Sequence, residues 1–293
     1  MKIFDCFMYF DEDLILDLRL NCLNKFVDQF VIVESIYNHN GGKRKPLFDI
    51  KKFEKFKDKI KYILVEDEPS NLKEIHEFDK PLKKANKQIM NALKRENYQR
   101  NFIIDGLKNA DEGDWIIVSD LDEIPNLESF KFKDRITLFE QDVYYYKFNL
   151  KQPNFKWVGT RACKKKMLKS LQWLRNIKGK SYPFWRLDTL NSEKKYMNID
   201  IVKNGGWHFT SIKKPKDIHY KLSNFMHHLE YEISGLKLND MEKMVKEKKI
   251  LYDHKVKQEE DKYTGNQSLE KVDRESLPHY ISKNLNKYQD WLD

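Results

Sequence analysis

Asp120, Asp122 and Glu123 crowd three carboxylates into four residues, a density that like-charge repulsion disfavours unless a cation or a strong donor set compensates it. An Asp-x-Asp pair can hold a divalent cation, Mn2+ or Mg2+, against a diphosphate through hard oxygen ligands. The plain alternative is a solvated turn or a helix start, where acidic residues are common. Position favours the metal. The preceding Trp115-Ile116-Ile117-Val118 is aromatic and β-branched without a charge, which predicts a strand buried on both faces. The carboxylates then lie at its C-terminal end, the edge where open α/β sheets bind ligands, and Pro125 stops the strand.

Three further groups could join that chemistry. His208 follows Gly205-Gly206-Trp207, where glycines permit close backbone approach. As a neutral imidazole it could ligate manganese or be a core histidine with a backbone partner. Glu34 ends the apolar run Phe30-Val31-Ile32-Val33. Arg100 shares a helical stripe with Ile89, Leu93, Ile104, Leu107 and Asn97 between about Leu82 and Ala110. It either pairs with a structural acid or reaches the ligand edge to bind phosphate or a carboxylate such as Glu34.

The elements that must position these residues alternate. Ile3–Phe10 predicts a strand and Leu14–Phe26 a helix, followed by strands at Phe30–Glu34 and Ile60–Val65, the helix from Leu82, and the strand before Asp120. This order predicts a doubly wound α/β core over about 1–125. It contains no Gly-x-Gly-x-x-Gly or Walker-type loop to bind phosphate. Val143–Asn149, Phe155–Thr160, Phe184–Asp188 and Gly205–Thr210 read as aromatic strands, whose faces suit packing or stacking on sugar rings. Lys164–Lys180 reads as a lysine-rich amphipathic helix, for packing or for contact with a membrane surface. From Asp217 the chain reads helical, with Met241–Leu251 as one helix.

At 293 residues, 40% of them hydrophobic, the chain can bury a core of one large domain. A net charge of +9 favours an anionic partner. Three scattered cysteines, Cys6, Cys22 and Cys163, give neither a disulfide framework nor zinc spacing, so a cytoplasmic protein is expected. Met1–Phe7 lacks the apolar length of a signal or spanning helix, so the chain is expected to start directly in its fold.

In order along the chain, the residues resemble glycosyltransferase family 17, typified by the enzymes that add the bisecting β-1,4-linked N-acetylglucosamine. The matching features are Leu14–Leu23 with Arg19-Leu20-Asn21, Val27–Ser35, the Gly42–Leu47 loop, Arg100 before Gly106-Leu107, Asp120–Pro125 and Gly206-Trp207-His208. The resemblance spans about residues 3–230. It implies a GT-A fold, a Rossmann-like mixed sheet flanked by helices, with a donor half over 1–125 and an acceptor half over 126–235; beyond it, residues 236–293 read as a helical extension. It also implies a UDP-sugar donor, UDP-N-acetylglucosamine, and inversion at the anomeric carbon. A membrane anchor like that of the Golgi members is missing, so a microbial or viral glycan, free or lipid-linked, is the expected acceptor.

On this reading Glu34, Arg100, Asp120, Asp122 and Glu123 bind the donor, and Asp122 with Asp120 and His208 holds the cation. Glu230, or else Asp188, is the general base for the attacking hydroxyl. Two other classes fit less well. In haloacid-dehalogenase-type phosphatases the Asp-x-Asp strand opens the chain, whereas here other strands precede it and Glu-Ile-Pro follows it. A non-catalytic glycan or nucleic-acid binder is favoured only by charge and aromatics, and no nucleic acid is expected.

Overall fold

The computed structural model describes residues 1–128, 130–183, 185–189, 191–225, 228–253, 263, 265 and 267–293, with Leu187 described in its backbone only. The apolar runs form strands β1 (Ile3–Met8), β2 (Gln29–Ser35), β3 (Ile60–Val65) and β4 (Trp115–Val118). Helix α1 (Asp13–Leu23) crosses from β1 to β2, and α2 (Pro81–Asn101) with a following 3-10 segment from β3 to β4. These strands pair in parallel in the order β3-β2-β1-β4.

Alternate side chains point to opposite faces. Phe30, Ile32, Trp115 and Ile117 pack with Ile15 and Leu16 of α1, whereas Phe4, Cys6, Val31, Val33, Ile116 and Val118 pack with Ile103 and Leu107 on the other side. Both faces are covered, which is why the strands read as unbroken apolar runs. The strand order reverses between β1 and β4, so their C-terminal ends open onto a crevice at the switch point.

The second half extends the sheet with β5 (Glu123–Pro125), β6 (Ile136–Tyr145), β7 (Leu150–Lys164), β8 (Ile199–Val202) and β9 (Gly206–Thr210). β7 is antiparallel to β4, and the order continues β7-β6-β9-β5 with β8 also on β6. Helices α3 (Leu171–Asn176), α4 (Pro215–Asn224), α5 (His228–Ser234) and α6 (Leu238–Lys246) lie in this half. The chain ends with β10 (Glu270–Lys271), α7 (His279–Lys283) and α8 (Leu285–Tyr288). The fold is thus the expected mixed α/β sheet flanked by helices.

The 236–293 segment is not purely helical and does not stand apart. β10 pairs with β7, Leu277, Ile281 and Tyr288 enter the α1 core, and Met241, Ile250 and Tyr263 pack with Tyr145 and Tyr146. The helix expected over Met241–Leu251 spans only the residues of α6.

Lys164–Lys180 is not one amphipathic helix with a free face. Lys164 ends β7, Ser170 caps α3 by accepting from the Trp173 amide, and Leu171, Leu174 and Ile177 are buried in the core. The apolar side expected to meet a membrane is therefore used inside the protein. Trp185–Asp188 forms no strand: Leu187–Thr189 is a 3-10 turn, and Phe184 lies outside the described residues.

The α2 stripe differs too. Ile89, Leu93 and Ile104 are each more than a third exposed, whereas Arg100 is buried. The buried residues of α2 besides Arg100 are Ala92, Asn91, which bonds the Lys73 backbone, and Gln99, which donates to the Val33 carbonyl of β2; α3 meets the stripe at its last turn, through Gln172 on Arg100. Among the described residues no helix is long and apolar enough to cross a membrane.

Candidate active site

Two fully buried charges, Asp5 in β1 and Arg19 in α1, interrupt the core. Arg19 Nε and Nη2 donate to the two Asp5 carboxylate oxygens at 2.7 and 2.6 Å. Nη2 also reaches Ser119 Oγ at 2.5 Å, and Nη1 donates to the carbonyls of Asp120, Leu121 and Glu123 at 3.1, 3.1 and 2.9 Å. The acidic loop is therefore gripped from beneath by its backbone, which leaves its side chains to other partners. A guanidinium can do this because its donors form a rigid planar fork.

β9 fixes the loop from the other side. Glu123 pairs with His208 in the β5–β9 ladder, and the Phe209 amide donates to the Asp122 carbonyl at 2.8 Å. This close approach requires the glycine before Trp207: Gly206 has φ +135°, and a Cβ there would stand 2.1 Å from the Ile124 carbonyl oxygen. His208 is thereby set beside Asp122.

The three carboxylates differ in what they can do. Glu123 is fully buried and is held by the protein's own donors. It accepts from Trp157 Nε1 at 2.6 Å, Arg175 Nη2 at 2.7 Å and the Asp120 amide at 2.9 Å, and a Cβ on Gly159 would come within 2.5 Å of its carboxyl carbon. Asp120 accepts from Arg100 Nη2 at 3.1 Å on one oxygen and from Arg175 Nη2 at 2.6 Å on the other. Burial would raise its carboxyl, but Arg175 and Arg100 outweigh that and hold it well below the usual range. With both oxygens engaged, Asp120 is poorly suited to the nucleophile role a phosphatase would require.

Asp122 has no such partners. His208 Nε2 lies 3.6 Å from Oδ1 and Lys221 Nζ 3.8 Å from Oδ2, and burial pushes the carboxyl above its usual range against the pull of both. His208 Nδ1 is buried without a hydrogen-bond partner among the described residues. An under-compensated carboxylate beside an under-satisfied imidazole fits a divalent cation. Among the described residues no three His, Cys, Asp or Glu side chains converge as a metal cluster, so the pair would need oxygens from a ligand to complete a shell.

A family model described as Glycosyltransferase family 17 matches residues 1–166, more than half of the chain. The chain belongs to glycosyltransferase family 17. Membership implies, in general, a nucleotide-sugar donor and a glycan acceptor. No curated protein matches the chain. Among solved structures, the crystal structure of 4-diphosphocytidyl-2C-methyl-D-erythritol synthase is 11% identical, covering 75% of this chain and 98% of its own at a TM-score of 0.37. That of Francisella tularensis 2-C-methyl-D-erythritol 4-phosphate cytidylyltransferase is 10% identical, with the same coverages and a TM-score of 0.29.

In this family 17 glycosyltransferase the carboxylates border a cavity of about 560 Å3. The loops after β1 and β2 supply Glu12, Asn38, His39 and Arg44, and the end of α2 supplies Glu96 and Gln99. Burial alone would raise the Glu12 carboxyl, but Lys221 at 2.8 Å and Lys213 bring it down to about 2. The lining also includes the aromatic residues Trp157, Phe225, Tyr252 and Tyr263.

Arg100 does reach Asp120, but it does not meet Glu34; its other partners are Glu96 and Gln172. Glu34 is buried and accepts from Arg44 at 2.9 Å, the amides of Leu47 and Phe48 at 2.7 and 3.1 Å, and Tyr62 at 2.9 Å. It thus secures the loop that carries Arg44 instead of binding a ligand. Asp188 lies outside the cavity lining, in an exposed cluster with Arg186 at 2.7 Å and Lys195 at 2.6 Å. Glu230 is also outside the lining, but it accepts from the lining residue Tyr252 at 3.2 Å.

The positioning role of Arg19 had a signal in the sequence. It falls four residues after Ile15 and four before Leu23 on the apolar face of α1, and Asp5 is a lone acid within an apolar strand. Arg175, Trp157 and Lys221 had none, because each lies in a stretch rich in similar residues and arrives at the site only through packing.

Proposed function

We propose that this enzyme transfers N-acetylglucosamine from UDP-N-acetylglucosamine to a hydroxyl of a glycan or lipid-linked glycan with inversion, using Mn2+ or Mg2+ held by Asp122 and His208. The supporting observation is the under-compensated Asp122–His208 pair on a loop locked at the switch point. Asp120, whose oxygens already serve two guanidiniums, is a positioning partner more than a ligand. When bound, the cation supplies charge to the departing diphosphate.

The chain's own groups do the rest. Arg100 and Arg175 bring two guanidiniums to the loop, and their charge favours an anionic donor. Asn38 Oδ1 and His39 Nδ1, in the wall after β2, are buried acceptors without partners among the described residues, which suits the N–H of a uracil. The aromatic lining of Trp157, Phe225, Tyr252 and Tyr263 suits sugar rings. Glu230, linked to that lining through Tyr252, is the proposed base.

The test is a panel of UDP- and GDP-sugars with Mn2+, read by nucleoside diphosphate release and thermal shift. The reading requires UDP-N-acetylglucosamine to give the largest metal-dependent response. A larger response to a GDP-sugar would overturn the donor.

A further inference from the structure

A nucleotide-sugar donor brings a diphosphate into the cavity, and the chain has no Gly-x-Gly-x-x-Gly or Walker-type loop to cradle it. Basic side chains must then supply the donors. Arg100 and Arg175 are spent on Glu96, Asp120, Glu123 and Gln172, and both lie outside the cavity lining. Among the described lining residues the lysines and arginines are Arg44 and Lys221 alone. Arg44 serves Glu34 and the Phe10 carbonyl and lies over the Phe10 ring at 4.2 Å. Lys221 remains beside the carboxylates.

Its placement is fixed by packing and by charge. Helix α4 starts at Pro215, shortly after β9, and buries Ile218 and Leu222 on either side of Lys221 in sequence. Lys221 Nζ lies 2.8 Å from Glu12 Oε1, while the other Glu12 oxygen accepts from the Phe10 and Asp11 amides at 3.3 and 3.1 Å. Lys213, just before the same helix, pairs with Asp11, so α4 is anchored twice to the loop after β1. An ammonium carries three N–H donors, and Glu12 takes one. Asp122 Oδ2, at 3.8 Å, is too far for a hydrogen bond. The ammonium thus keeps donors for a ligand oxygen next to Asp122.

We propose that Lys221 binds the diphosphate of the donor and stabilises it as it leaves. When the acceptor oxygen bonds the anomeric carbon and gives its proton to the base, the bond from that carbon to the β-phosphate oxygen breaks, with its electron pair left on that oxygen. Lys221 stays protonated throughout and meets the developing charge with a charge-assisted hydrogen bond. The inference rests on the proposed function only for a nucleoside diphosphate in this cavity, not for its base or sugar.

The experiment measures by calorimetry the affinities for UDP and for uridine in Mn2+, and for Mn2+ alone, in wild type, Lys221→Gln, Glu12→Gln and Glu12→Gln/Lys221→Gln. The double variant leaves neither charge buried alone, so it carries the test even where Lys221→Gln fails to fold. Both lysine variants should bind UDP roughly tenfold to a hundredfold more weakly, with the affinities for uridine and Mn2+ unchanged. Their turnover at saturating donor should fall as well, because the charge on the diphosphate grows as it leaves. Glu12→Gln should bind UDP like wild type. Undiminished UDP binding or turnover in the lysine variants overturns the proposal. So does an equal loss of UDP affinity in Glu12→Gln, which would assign the effect to the loop after β1. A matching loss for uridine or for Mn2+ alone also overturns it, since the effect would then lie outside the diphosphate. A wild type that binds GDP in place of UDP overturns the donor assignment alone, and the same variants are then read with GDP and guanosine.

Discussion

Arg19 and Asp5 form a bidentate pair with no exposed atoms, and the same guanidinium holds three carbonyls of the acidic loop. Removing one member leaves the other charge buried and unpaired, at a cost of roughly 3–5 kcal/mol. Arg19→Met should therefore destabilise strongly by denaturant titration. Asp5→Leu/Arg19→Met should recover most of that stability and still lack activity, because nothing then grips the loop. Recovery of both would show that the pair only fills the core.

Arg175 bridges Asp120 and the buried Glu123. Arg175→Met should cost roughly 3 kcal/mol, a fall in Tm of roughly 6–12 °C. Trp157→Phe removes another donor to Glu123 and should cost less, about 1–3 kcal/mol. A Tm for Arg175→Met within a degree or so of wild type would contradict the role assigned to Glu123.

Asp122→Asn and His208→Ala should each abolish the Mn2+-dependent thermal shift with UDP and lower turnover by orders of magnitude, with apo Tm nearly unchanged. Chelation of wild type should match them. Full activity in excess chelator would remove the cation from the mechanism.

Glu230→Gln should lose transfer while retaining metal-dependent donor binding. Asp188→Asn, at an exposed ion pair worth little, should leave both intact. The reverse pattern would return the base to Asp188.

His39 is held neutral, because burial lowers its pKa below the ordinary 6.5. Gln99 donates its amide to the Val33 carbonyl, so its oxygen accepts from His39 Nε2. The unfolded chain takes up a proton near pH 6.5 that the folded chain refuses, so stability is lost as pH falls below that value. Stability measured from pH 7.5 to 5 should fall more steeply in wild type than in His39→Asn. Parallel curves would mean that His39 titrates normally in the fold.

The sequence by itself determined the strands, since runs such as Phe30–Val33 and Trp115–Val118 are apolar enough to demand cover on both faces. It also determined that the acidic triplet would lie at a strand end and that a glycine would precede His208, because both follow from local residue order. Only the tertiary structure decided what each carboxylate does. Asp122, Asp120 and Glu123 look alike in sequence, yet Arg175 from α3, Trp157 from β7 and Arg100 from α2 converge to occupy two of them and leave the third to His208. The fate of the α2 stripe was likewise undetermined: periodicity shows that Leu82, Leu93 and Arg100 share a face, but only the position of α3 buries the last and leaves the others open. Periodicity reports which side chains point together, whereas what covers them depends on elements far away in the chain.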